Sequence, residues 1–205
     1  MSRIISLLSF IVICSAYAGC KTKKEKPAPP PPVIRKEKSD SSAKQKGPII
    51  NVIDTVEYRR TVLCVKDSAA TAAGLSLKLS NIYNVKIPGA IKTGKLKTAG
   101  QPMAWYKTQK PPFFFEAGIP VEKAPAKAIK GFYIKNTGGD SALVAHFFGP
   151  NELSTVGYDA LNEILKERKK KKAAPAYEIY VKNPFEQSKE KRDPYKMQTD
   201  IVVPY

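Results

Sequence analysis

A chain of 205 residues with 35 Lys and Arg against 18 Asp and Glu carries a net charge of +17. At 42% hydrophobic residues it can bury one core of ordinary domain size. Three cysteines and a single histidine exclude a disulfide-built scaffold and a zinc constellation.

Met1-Ser2-Arg3 supplies a positive charge, Ile4 to Ile13 is almost wholly apolar, and small residues follow. That order predicts a secretory signal peptide over residues 1–19, too short to be an ordinary membrane span. It closes on Tyr17-Ala18-Gly19-Cys20, which resembles a bacterial lipobox, where the cysteine is lipidated and becomes the first residue. Tyr17 departs from that pattern, which prefers leucine, and ordinary cleavage after Ala18 is the alternative. The resemblance implies acyl chains such as palmitate on Cys20 and a place in the bacterial cell envelope, anchored to a membrane. Cys14 would leave with the signal, so Cys64 has no partner for a disulfide.

Residues 20–48 are dominated by Lys, Glu, Pro and Ser, with four consecutive prolines at Pro29 to Pro32. Such a segment buries too little apolar surface to fold and reads as a semi-rigid, disordered tether. It holds nine Lys/Arg against three Asp/Glu between residues 21 and 48, and a second basic run spans Lys166 to Lys172. For an exported protein these runs point to anionic lipid headgroups or cell-wall polymer rather than nucleic acid, or simply to a solvated surface.

The folded part, residues 49–205, opens with β-branched and aromatic residues from Thr55 to Val65, a predicted strand. Asp67 or Ser68 is placed to cap a helix carrying Leu75, Leu79 and Ile82, and Pro88-Gly89 to end it. Pro102 to Tyr106 predicts a short strand, Lys110-Pro111-Pro112 a break, and Phe113 to Val121 a second strand. Alternation lets at most two of Phe113, Phe114 and Phe115 share a side. Strands at Ile129–Lys135 and Ser141–Phe148 flank the turn Gly138-Gly139-Asp140. Gly149-Pro150-Asn151 opens a helix with Leu153, Tyr158, Leu161, Ile164 and Leu165 as its apolar positions, closed by Lys169 to Lys172 at the negative end of its dipole. Strands follow at Pro175–Tyr180 and Tyr195–Val203, around a charged surface loop from Glu186 to Asp193. The order helix, proline, short aromatic strand, break, longer strand occurs twice, so Pro102–Tyr106 corresponds to Pro175–Tyr180.

On the second short strand Glu178 and Tyr180 share one face, and Tyr177 and Ile179 the other. A strand carboxylate beside tyrosines is solvated, or it meets something cationic or proton-donating. His146 has no evident partner set for metal or triad chemistry and reads as structural. No phosphate-cradling glycine loop or metal-ligand cluster is present, so no cofactor is expected.

His146-Phe147-Phe148-Gly149-Pro150, Tyr158-Asp159-Ala160-Leu161, Tyr177-Glu178-Ile179-Tyr180 and Thr199 to Pro204 resemble the GyrI-like small-molecule-binding domain. That domain also serves as the effector-binding domain of AraC- and MerR-type regulators. Gly100 to Tyr106 and Glu116 to Val121 fit it in the first half, and the resemblance covers residues 50 to 205. It implies an α+β fold of two βαββ units related by a pseudo-twofold axis, with a ligand cleft between them. It also implies a glutamate at the floor of an aromatic pocket for cationic or amphipathic lipophilic ligands, the position matched by Glu178. Tyr180, Trp105, Tyr106 and Tyr177, on the paired short strands, are then the candidate walls. A tether stands where those regulators carry a helix-turn-helix, so no nucleic-acid partner is expected. Binding is favoured. Hydrolysis of small electrophiles by Glu178 with a tyrosine is the alternative, and a closed domain that docks through its basic surface is a third reading.

Overall fold

The computed structural model describes residues 47–182, 184–185 and 193–205. The signal, lipidation and tether expectations, and most of the 186–193 loop, lie outside the described residues. The described residues form one compact unit.

Eight antiparallel strands make one sheet: β1 (Ile49–Val56), β2 (Arg60–Ala69), β3 (Met103–Tyr106), β4 (Phe113–Val121), β5 (Tyr133–Thr137), β6 (Ser141–Phe148), β7 (Tyr177–Tyr180) and β8 (Gln198–Pro204). Their order across the sheet is β1-β6-β8-β7-β3-β4-β2-β5. This order is a palindrome about the β7/β3 seam, with β2, β3 and β4 answering β6, β7 and β8. The repeat read from the sequence is therefore real, and the matched short strands pair with each other, Met103 opposite Ile179 and Ala104 opposite Glu178. The α+β fold of two symmetric halves follows as expected.

The outer strands add something the sequence did not announce. The expected strand from Thr55 to Val65 is two strands, broken at residues 57–59. Strand β1 crosses to the other half and pairs with β6, while β5 pairs with β2, so β5 and β6 are not a hairpin. Strands β1 and β2 lie six places apart, about 29 Å in a flat sheet at ~4.8 Å per strand. The three linking residues reach only ~14 Å at full extension. The sheet must curl, and its inner face is filled from both halves by Val62, Cys64, Met103, Trp105, Ala142, Val144, Tyr177, Ile179 and Val202.

The two short links that close the curl cross each other. Glu57 N–H donates to the Asp140 carbonyl at 3.1 Å, and Gly139 N–H donates to the Glu57 carbonyl at 2.6 Å. Gly138 adopts φ +82°, and a Cβ there would lie 1.9 Å from the Tyr58 carbonyl oxygen. Only glycine allows the two chains to approach this closely.

Helices cover the convex face. Helix α1 (Ala72–Asn81) is capped by Thr71, whose side chain accepts from Gly74 N–H at 3.1 Å. Asp67 and Ser68, the expected caps, still belong to β2. Pro88 does not end the helix either. A wide turn of π geometry, Ile82–Lys86, precedes α2 (Ile87–Gly94), and Pro88 sits in the first turn of α2, where its missing N–H is not needed. Helix α3 (Ser154–Glu167) follows a short 3₁₀ turn, Asn151–Leu153, and turns Tyr158, Leu161 and Leu165 to the sheet. Strand β5 begins four residues later than expected, at Tyr133, and Pro194–Lys196 is a 3₁₀ turn rather than strand. Phe113 and Phe115 join the core beneath α1 and α2, whereas Phe114 is 49% exposed, as alternation requires.

Candidate functional site

The sheet alternates, so the β3/β7 seam offers two different faces. Ala104, Tyr106, Glu178 and Tyr180 point to the helices; Met103, Trp105, Tyr177 and Ile179 point into the curl. Helices α1 and α3 belong to different halves and straddle the seam, leaving a cavity of about 270 Å³ between them. Leu75, Ser76 and Leu79 of α1, Ser154, Thr155 and Tyr158 of α3, Tyr106, Phe113, Pro111 and Phe185 line it, and Glu178 is at its floor.

Glu178 is 6% exposed, and its strand is flanked on both sides by other strands. The Tyr158 hydroxyl donates to its Oε1 at 3.1 Å. The Tyr106 and Tyr180 hydroxyls hydrogen-bond each other at 2.7 Å, and the Tyr83 hydroxyl donates to the Met103 carbonyl at 2.7 Å. Burial pushes the Glu178 carboxyl up to about 7, against the downward pull of the Tyr180 and Tyr158 hydroxyls. The same burial, reinforced by the Glu178 charge, drives Tyr106, Tyr158 and Tyr180 well above the ordinary phenol value. These phenols therefore stay protonated and act as donors. No described Lys or Arg forms an ion pair with Glu178, and among the described residues its charge is answered by hydroxyls.

Among the described residues the cavity lining contains two carboxylates, Glu178 and Glu152, and no basic residue, in a chain of net charge +17. Glu152, in the turn that leads into α3, offsets the positive end of that helix's dipole at the mouth. The upper walls are aromatic. Phe185 packs edge-on against Tyr180 with centroids 5.1 Å apart and tilts over Tyr83 at 5.6 Å. Its carbonyl is held by Asn84 Nδ2 at 2.6 Å.

Among the sequence-derived candidates, the structure brings together Glu178, Tyr106 and Tyr180. Trp105 and Tyr177 sit on the opposite face, with ring centroids 5.5 Å apart, and do not wall the Glu178 cavity. Alternation along each strand separates Tyr177 from Glu178 and Trp105 from Tyr106. Sequence reasoning read Tyr158 as an apolar helix position and as part of a resemblance motif, and did not place it beside Glu178. A hydroxyl on an otherwise apolar stripe is the signal that could have marked it. His146 binds Asp200 Oδ1 through Nδ1 at 2.7 Å, and Gln198 Nε2 donates to the same oxygen at 2.8 Å. This cluster is away from the cavity. Among the described residues no group of three His, Cys, Asp or Glu could hold a metal ion.

No family model matches the sequence, and no curated protein matches it. The fold is similar to the crystal structure of the EcmrR C-terminal domain, with 14% identity and a TM-score of 0.60 over 77% of this chain and 96% of that one. The EcmrR–DNA complex gives 13% identity and a TM-score of 0.57; 77% of this chain is covered, and it spans 57% of that protein's length. An uncharacterised conserved protein from Listeria innocua gives 11% and 0.53 over 75% of this chain and 91% of that one. At these identities the likeness is one of fold, and it is the GyrI-like fold that the sequence resemblance implied.

Proposed function

We propose that this GyrI-like domain is a binding module that captures a small lipophilic cation between α1 and α3, with Glu178 as the counter-charge. The observation that carries this reading is a buried carboxyl that has no cationic partner among the described residues, at the floor of an aromatic cavity whose described lining holds no basic residue. An isolated buried carboxylate is unfavourable, and a cation that arrives with an apolar body both neutralises it and fills the cavity. The aromatic faces add roughly 0.5–2 kcal/mol each to a desolvated cation. The test compares N-methylacridinium, a permanent flat cation, with N-methylacridone, its uncharged near-isostere, by fluorescence titration at pH 8. The cation is expected to bind at least tenfold more tightly. Equal binding of the two would overturn the assignment.

Hydrolysis is the second reading, and one observation favours it. A carboxyl near pH 7 beside a protonated phenol has the right poise for general acid–base work on an electrophile. It predicts turnover of small electrophiles that Glu178→Gln abolishes with little change in affinity.

Membrane anchoring is part of the same proposal. Its support is the order of charged, apolar and small residues ending in Ala18-Gly19-Cys20. Cys20→Ala is expected to remove the acyl mass from the mature chain and to move the protein from the membrane to the soluble fraction. A wild-type protein with no lipid mass that fractionates like the variant would sink the anchor and leave the binding reading intact.

A further inference from the structure

Strands β3 and β7 pair over only two residues each, and past Ala104 they part. Trp105 and Tyr106 on one side and Pro175 and Ala176 on the other border a second cavity of about 590 Å³. It shares Tyr106, Gln109 and Tyr158 with the Glu178 cavity, so the two spaces adjoin at these three side chains.

The two spaces differ in charge. The second is lined by Lys107, Lys135 and Lys172 against a single carboxylate, Glu116. Lys135 is already committed: its Nζ donates to Glu116 Oε2 at 2.5 Å and lies 4.3 Å from the Trp105 ring centroid. Lys66, outside the lining, reaches Glu116 as well, at 3.9 Å. Lys107 and Lys172 have no acidic partner among the described residues. One of these adjoining cavities is thus acidic and aromatic, and the other has two ammonium groups, unpaired among the described residues, beside an indole.

We propose that the two cavities form one groove for a dipolar ligand, whose cationic aromatic body lies at Glu178 and whose carboxylate or other anionic group is met by Lys107 and Lys172. This rests on the reading that Glu178 receives a cation, and it adds the second half of the ligand. A small lipophilic cation would leave the basic space unused, whereas a zwitterion pairs its cation with Glu178 and its anion with the lysines.

Rhodamine B is a zwitterion at neutral pH, and its ethyl ester is the same cation with the carboxylate masked. The wild-type chain is expected to bind rhodamine B roughly fivefold to tenfold more tightly than the ester, the scale of two partly exposed ion pairs. Lys107→Gln/Lys172→Gln should abolish that preference by weakening rhodamine B alone, and Glu178→Gln should weaken both dyes alike. Equal affinities in the wild type, or a preference that survives in the double lysine variant, would overturn the proposal while ester binding through Glu178 kept the simpler cation reading in place. Failure of both dyes to bind, or an ester indifferent to Glu178→Gln, would remove that reading and this one together.

Discussion

Glu178→Gln is expected to weaken N-methylacridinium by roughly 5- to 150-fold at pH 8, the ~1–3 kcal/mol of one charged contact, and to leave N-methylacridone almost unchanged. The acridinium charge does not depend on pH between 5 and 8, so its pH profile reports the protein. Glu178 titrates at about 7 in the free domain, and only the ionised form attracts a cation. Affinity should therefore be level above pH 8 and fall by up to tenfold per unit below 7, and the Gln variant should show a flat line. A wild-type profile that is also flat would remove Glu178 from the binding reaction.

The same substitution has an opposite effect on the empty protein. The folded carboxyl is raised from its ordinary 4.5 to about 7, so between those values the folded state holds a proton that the unfolded chain has released. Stability is greatest below 4.5 as far as this group is concerned, and it declines as pH rises through the window to 7. A shift of that size corresponds to about 3 kcal/mol at pH 8. Glu178→Gln should recover part of it, and urea denaturation at pH 8 and pH 4.5 is the measurement. A variant more stable yet weaker in cation binding is the signature of a carboxylate held in place for ligand rather than for the fold.

Gly138→Ala is expected to cost about 2–4 kcal/mol of stability, measured by urea denaturation. Two effects combine. The left-handed backbone disfavours any side chain by about 1–2 kcal/mol. The added carbon would also meet the Tyr58 carbonyl at 1.9 Å, so one of the crossing links must move and strain the Glu57–Asp140 and Gly139–Glu57 hydrogen bonds. Gly131, with φ +83° but no atom within 4 Å of its added carbon, is the control and should lose only the conformational part. Equal losses at the two positions would show that the crossing tolerates displacement.

The two-fold plan was legible because each half repeats helix, proline, short aromatic strand and long strand, and that pattern survives at low identity. The grouping of Glu178, Tyr180 and Tyr106 on one face was legible from alternation and the pairing of the short strands. Trp105 and Tyr177 belong to the same paired strands, but they occupy the alternate positions, whose side chains turn into the curl. Membership of the strands was legible for them; the face was not carried through. The break at residues 57–59 was not legible, since β-branched residues run on both sides of it and the sequence holds no proline or glycine there. Its cause is remote: Gly138 and Gly139, far along the chain, make room for the crossing. Pro88 failed as a helix end for a local reason: a π turn precedes it, and in the first turn of α2 its missing N–H is not needed.

The exchange of outer strands, β1 onto β6 and β5 onto β2, means that neither half owns its own edge. A half such as residues 123–205 leaves β6 with one side bare and β5 with nothing to lie on. The missing surfaces are complementary to those of the other half, so the covalent link between Val121 and Tyr133 contributes proximity rather than shape. A nicked chain has every reason to stay assembled, and two copies of a single half could complete one another in the same way. The architecture is in that sense a dimer written as one polypeptide.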